Sequence, residues 1–105
     1  MTKYNARKCE FAGMTFDSRA ELRRYKELRL LERAGEITDL RRQVEYELIP
    51  KQKGERRAVY TADFVYREGG REIVEDVKGV KTRDYILRRK LMLWRHGIKI
   101  REVKA

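Results

Sequence analysis

A chain of 105 residues with 41% hydrophobic content accommodates one packed domain and excludes two. No apolar run approaches the ~18 residues a bilayer span needs, the opening residues carry no charged-then-apolar leader, and Cys9 as the sole cysteine excludes an internal disulfide and a cysteine zinc cage, so the expected location is cytoplasmic. Lys and Arg number 27 against 17 acids, for a net charge of +10, which favours a polyanionic partner through phosphate contacts and counterion release.

In chain order, Met1 to Lys8 read as a basic arm, and Cys9 to Phe16 as a small hairpin turning at Ala12-Gly13, so that residues 1–17 form an appendage to a single domain at 18–105. Ser18-Arg19-Ala20-Glu21 matches a helix capping box, and the helix it starts is expected to run to about Ala34, with Gly35 as its stop. Ile37 to Leu40 reads as a connector. Val44, Tyr46 and Leu48 alternate with polar residues in a first main strand ending at Pro50. Lys51 to Arg57 is a basic loop. Ala58–Arg67 and Arg71–Lys78 follow as two strands joined through Gly69-Gly70. A second helix is expected from Arg83 to His96, closed by Gly97, and Ile98 to Val103 is a last strand. Helix, three strands, helix, strand is an α/β layered domain with a mixed central sheet flanked by two helices.

The hairpin carries the chemistry. A two-residue turn at Gly69-Gly70 puts Glu68 opposite Arg71 and, counting outward, Asp63 opposite Asp76. Two facing carboxylates at ~5 Å repel by about 3 kcal/mol at an effective dielectric near 20, a cost that a divalent cation between them converts into a binding site. Alternation puts Asp76 and Lys78 on one face, roughly 7 Å apart, and turns Glu75 to the other with Ile73 and Val77. At about 100° per residue, Glu21 projects between Tyr25 and Leu28 into the apolar arc of the first helix, which also holds Arg24 and Glu32. In the second helix Lys90 falls between Ile86 and Trp94, in an arc with Leu87 and Leu93, and is expected to face inward. An acid and a base facing a core need partners or a function.

Ala62-Asp63-Phe64 followed by Val74-Glu75-Asp76-Val77-Lys78-Gly79 resembles the signature of the PD-(D/E)XK nuclease superfamily, with Asp63 and Asp76 as its acids and Lys78 as its lysine. Ala62 stands where that superfamily's eponymous proline falls. From about residue 4 to 103 the chain is similar to a group of small phage-encoded proteins once classed only as a domain of unknown function. That likeness rests on Phe16-Asp17-Ser18 with Glu21 and Tyr25, on Leu30 to Ile37, on Asp76 to Gly79 with Thr82 and Tyr85, and on Arg89-Lys90-Leu91. The resemblance implies a restriction-endonuclease-like αβββαβ core and a DNA endonuclease using Mg2+ or Mn2+. The ion would be held by Asp63, Asp76, the Val77 carbonyl and Glu21, with Lys78 handling the attacking water. It also implies a homodimer acting on branched DNA, since some relatives in the superfamily resolve Holliday junctions as dimers.

Thr82, Lys90, Lys81, Arg83, Arg88, Arg89, Lys51, Lys53, Arg56 and Arg57 are the candidate phosphate contacts. Plainer readings stand beside these. Glu21 is fully explained as a cap, Thr82 as the N-cap of the second helix, Lys78 as a partner for Asp76, and the basic residues as a solvated face. His96 reads as a dipole partner at a helix end, and Trp94, Tyr25 and Phe64 as core. Two other functions remain open on the sequence: a nucleic-acid-binding protein that keeps a nuclease fold without using it, and a subunit active only in a larger recombination or packaging complex.

Overall fold

The computed structural model describes residues 8–105, so all but the last residue of the basic arm lies outside the described residues. Cys9–Phe11 (β1) and Met14–Phe16 (β2) form the small hairpin, with Ala12 and Gly13 both at positive φ as a two-residue primed turn requires. Arg19–Arg33 is the first helix (α1). Ser18 accepts from the Glu21 amide at 3.1 Å, while the Glu21 carboxylate reaches back past the cap to the Asp17 amide.

The main sheet has four strands in the order β3 (Thr38–Ile49), β4 (Ala58–Glu68), β5 (Arg71–Lys78) and β6 (Arg101–Lys104). β3, β4 and β5 are antiparallel neighbours, whereas β6 runs parallel to β5 after the second helix, α2 (Arg83–His96), has crossed over. The expected connector at 37–40 is already strand from Thr38, with a bulge between Thr38 and Arg41 and Asp39 at φ 56°. The last strand starts at Arg101 rather than Ile98, because β6 finds its partner only along Glu75–Lys78.

The helices cover opposite faces of the sheet. On one, Tyr25 and Leu28 of α1 pack with Phe16, Ile37, Phe64 and Tyr66. On the other, Tyr85 and Met92 of α2 pack with Leu48, Tyr60, Ala62, Val65, Val74 and Ile100. β4 changes face part-way. Tyr60 and Ala62 belong to the α2 side, yet Phe64 and Tyr66, two and four residues on, belong to the α1 side. β3 changes with it. Val44 and Tyr46 pack on the α2 side, Leu40 packs on the α1 side, and Arg42 lies over the Phe16 ring at 3.9 Å. The pairs Val44–Ala62 and Arg42–Phe64 keep register across the step, so Gln43, with φ 53°, and Asp63 are the residues at which it occurs.

The orientation of α2 corrects the sequence reading. Tyr85 and Met92 face the sheet, while Lys90 is exposed, and Leu87, Leu93 and Trp94 are 57%, 55% and 80% exposed. Trp94 is therefore not core and Lys90 does not face inward. The helix carries two apolar stripes on opposite sides, and periodicity cannot say which of them meets the sheet.

Candidate active site

The hairpin register is as the Gly69-Gly70 turn demands, from Glu68–Arg71 to Phe64–Glu75, and there the β4–β5 ladder stops, one pair short of Asp63 and Asp76. In place of a ladder bond, the Asp63 carboxylate accepts from the Val77 amide at 2.9 Å. The acids therefore do not face each other as an ordinary cross-strand pair. Asp63 sits at the face step of β4, and this is what lets it act on two groups from opposite sides of the sheet: Glu21, from α1, and Asp76, which lies among Tyr60 and Tyr85 on the α2 side.

Glu21 is buried at 3% exposure. Its two oxygens accept from the Asp17 amide at 2.8 Å and from Gln43 Nε2 at 3.0 Å. Burial and then the neighbouring Asp63 push its carboxyl up to about 7. Asp76 is 2% exposed, and burial followed by Asp63 raises it to about 8, against the pull of Lys78. Lys78 Nζ lies 3.1 Å from Asp76 Oδ2, so this buried oxygen has an ion-pair partner but no well-directed hydrogen bond among the described residues. The Tyr60 hydroxyl, on the same side of the sheet, is likewise buried, and it lies beside Asp76 without a well-directed hydrogen bond among the described residues. Native folds rarely leave such groups short, because each desolvated orphan costs about 1–3 kcal/mol.

The lysine is held from a second direction. Nζ stands 4.4 Å from the centre of the Tyr85 ring, a cation–π contact. The Tyr85 hydroxyl donates to Glu102 at 2.7 Å, and Glu102 also takes Arg89 and Lys81, each at 3.0 Å. Burial pushes the Glu102 carboxyl up, but those three donors outweigh it and hold the group at about 2. Glu102 on β6 thus fixes Tyr85, and Tyr85 helps fix Lys78.

Among the described residues no three carboxylate, imidazole or thiol groups form a ready-made metal cage. The donor set nevertheless suits a hard divalent cation: carboxylates from α1, β4 and β5, two of them raised by burial and then by crowding, and a buried Asp76 oxygen answered by Lys78 alone among the hydrogen-bond donors and cations described. A cation there would relieve both the repulsion and the missing contact.

The chain matches, over residues 1–105, a family described as "Protein of unknown function (DUF1064)". The chain belongs to the DUF1064 family. No curated protein and no solved structure matches it.

In this DUF1064 protein the predicted phosphate contacts divide in two. Lys81 and Arg89 are engaged by Glu102, Arg57 by Glu45 at 2.9 Å, and Arg88 by Asp84 and the Val59 carbonyl. Lys51, Lys53, Arg56, Arg83 and Lys90 are exposed. Thr82 is the N-cap of α2, accepting from the Tyr85 amide at 3.1 Å. His96 is exposed in the last turn of α2, where its Nε2 also lies 2.7 Å from the Glu47 carbonyl. Gln43, Tyr60 and Glu102 went unnoticed in the sequence. Only the positive φ of Gln43, the contacts of the Tyr60 hydroxyl and the register of β6 bring them to the site, and none of these has a sequence pattern.

Proposed function

We propose that this protein is a metal-dependent DNA endonuclease with a restriction-endonuclease-like core, hydrolysing phosphodiester bonds in Mg2+ or Mn2+. The observation that carries the reading is Asp63 set between Glu21 and Asp76, with Lys78 ion-paired to a buried Asp76 oxygen that has no well-directed hydrogen bond among the described residues. Asp63, Asp76 and the Val77 carbonyl would hold the ion, with Glu21 joining directly or through water. When bound, the ion supplies Lewis-acid activation and charge neutralisation at the scissile phosphate.

The chain's own residues account for the rest. Lys78, held between Asp76 and the Tyr85 ring, orients the attacking water and stabilises the charge that develops on phosphorus oxygens. Lys51, Lys53 and Arg56, all exposed in the β3–β4 loop, are free to grip the backbone. No base-reading element is present among these residues, so selection is by DNA structure, with branched junctions as the first candidates. Paired cuts at a junction require two active sites and hence a second copy.

The test is cleavage of labelled four-way-junction, linear duplex and single-stranded DNA with Mg2+, Mn2+ or EDTA, comparing wild type with Asp76→Ala, alongside calorimetric titration of Mn2+ into both. Metal-dependent cutting and Mn2+ binding, both lost in the variant, support the reading, and symmetric cuts confined to the junction define a resolvase. DNA binding without cutting under any metal sinks it for the isolated chain and leaves a binding protein or a partner-dependent subunit.

A further inference from the structure

The outer face of α2 supplies neither the acids nor the lysine of the site just described, although Arg83 and Lys90 on it are among the exposed candidate phosphate contacts. At about 100° per residue, Leu93, Ile86, Lys90, Arg83, Trp94 and Leu87 fall in one arc of roughly 120°, opposite Tyr85 and Met92. Leu87, Leu93 and Trp94 are more than half exposed, and Trp94 at 80% is the most open large apolar side chain among the described residues. Single exposed apolar residues are ordinary, but three in one stripe on a short helix mark a contact surface.

The charges in the stripe indicate what meets it. Arg83 and Lys90 are its ionic groups, and Asp84 at its margin is already paired with Arg88 at 3.0 Å. Two cations among three large apolar groups make a poor seat for a polyanion, which would strip water from the leucines and gain little. The stripe does complement itself. Laid antiparallel on a second α2 about a two-fold axis, residue 83 meets 94 and residue 87 meets 90, each twice. Arg83 then lies on the Trp94 indole of the other copy, a cation–π pair, and the Lys90 stem covers Leu87 with its ammonium free to reach water. No cation opposes a cation in this register.

We infer that the outer face of α2 is a self-association surface, on which a second copy of this chain packs α2 against α2 in antiparallel register. The inference does not depend on the nuclease reading, and its readout is mass and fluorescence rather than cleavage.

Trp94 is the one tryptophan of the chain, so its emission reports the contact directly. The full-length protein is followed by sedimentation velocity and intrinsic fluorescence from sub-micromolar to several hundred micromolar. The expected result is a monomer–dimer equilibrium with a blue shift of the indole as dimer forms. Trp94→Ser, read by sedimentation alone, and Leu87→Lys, which sets lysine against Lys90, each raise the dissociation constant at least tenfold. The double variant Leu87→Lys/Lys90→Glu restores opposite charges across the register and recovers most of the affinity. Circular dichroism checks that each variant stays folded, which is expected for substitutions on an exposed face. A wild type that stays monomeric throughout, or a dimer indifferent to these substitutions, overturns the inference. So does a blue shift produced only by anionic vesicles or duplex DNA while the protein remains monomeric, which would assign the stripe to that other partner.

Discussion

Glu75 and Asp76 are neighbours in β5, both buried, and the fold treats them in opposite ways. Glu75, on the α1 side, is fully covered and fully answered. Arg24 forks onto its two oxygens at 2.8 and 2.9 Å, the Tyr66 hydroxyl donates at 2.5 Å, and Arg101 backs the tyrosine at 3.1 Å. Asp76, on the α2 side, has a lysine at one edge, a second carboxylate beside it and an oxygen without a hydrogen bond. A buried carboxylate matched by a bidentate arginine is a structural element. One left short beside other acids is a candidate functional group, and here it fits the proposed cation site.

Substitutions at the two carboxylates put that contrast to the test. The largest effect is expected on activity. Asp76→Asn should lower metal-dependent cleavage at least ~1000-fold, since it removes the charge of a proposed ligand, while leaving the metal-free protein as stable as wild type or up to ~2 kcal/mol more stable by urea denaturation. Glu75→Gln should do the reverse in stability terms, costing about 2–4 kcal/mol by the same assay, because Arg24 loses its charged partner in a poorly solvated place. If both amides behave alike, the two carboxylates are not distinct in kind.

The pH dependence is the next effect in size. Glu21 and Asp76 are raised from their ordinary values of 4.5 and 3.8 to about 7 and about 8, so the folded state favours their neutral forms. Their contribution to stability is complete below the ordinary carboxylate range and is lost as pH rises through 7 to 8. The metal-free melting temperature should therefore fall between pH 5 and pH 8.5, by an amount corresponding to ~2 kcal/mol. Saturating Mn2+ should flatten or invert that slope, and Asp63→Asn should flatten it without metal. A melting temperature independent of pH over this window would refute the crowding of the three acids.

Two smaller effects follow. Tyr60→Phe removes a buried hydroxyl that lies beside Asp76 without a well-directed hydrogen bond, so it should leave metal-free stability unchanged or raise it by up to about 1 kcal/mol. A clear loss would mean that the hydroxyl is satisfied in solution. Glu102→Gln weakens the hold on Tyr85 and through it on Lys78. It should reduce the cleavage rate several-fold, with substrate affinity little changed and the melting temperature within a few degrees of wild type.

Local chemistry written in the sequence determined much of this molecule. Ser18 and Thr82 cap the two helices because a side-chain oxygen at that position answers an orphan amide, and Gly69-Gly70 fixes the hairpin because both residues must adopt positive φ. That turn alone brings Asp63 and Asp76 to the same end of the same hairpin. Periodicity likewise put Glu21 among the buried residues of α1. Tertiary structure decided the rest. α2 has two apolar stripes, and only docking on the sheet chose Tyr85 and Met92 over Leu87 and Trp94. Strict alternation could not foresee the step at Gln43 and Asp63, since it arises where two paired strands change face together and keep their register. That step lets one carboxylate join an acid from above the sheet to an acid from below it, which is a property of the packed strands and not of any local run of residues.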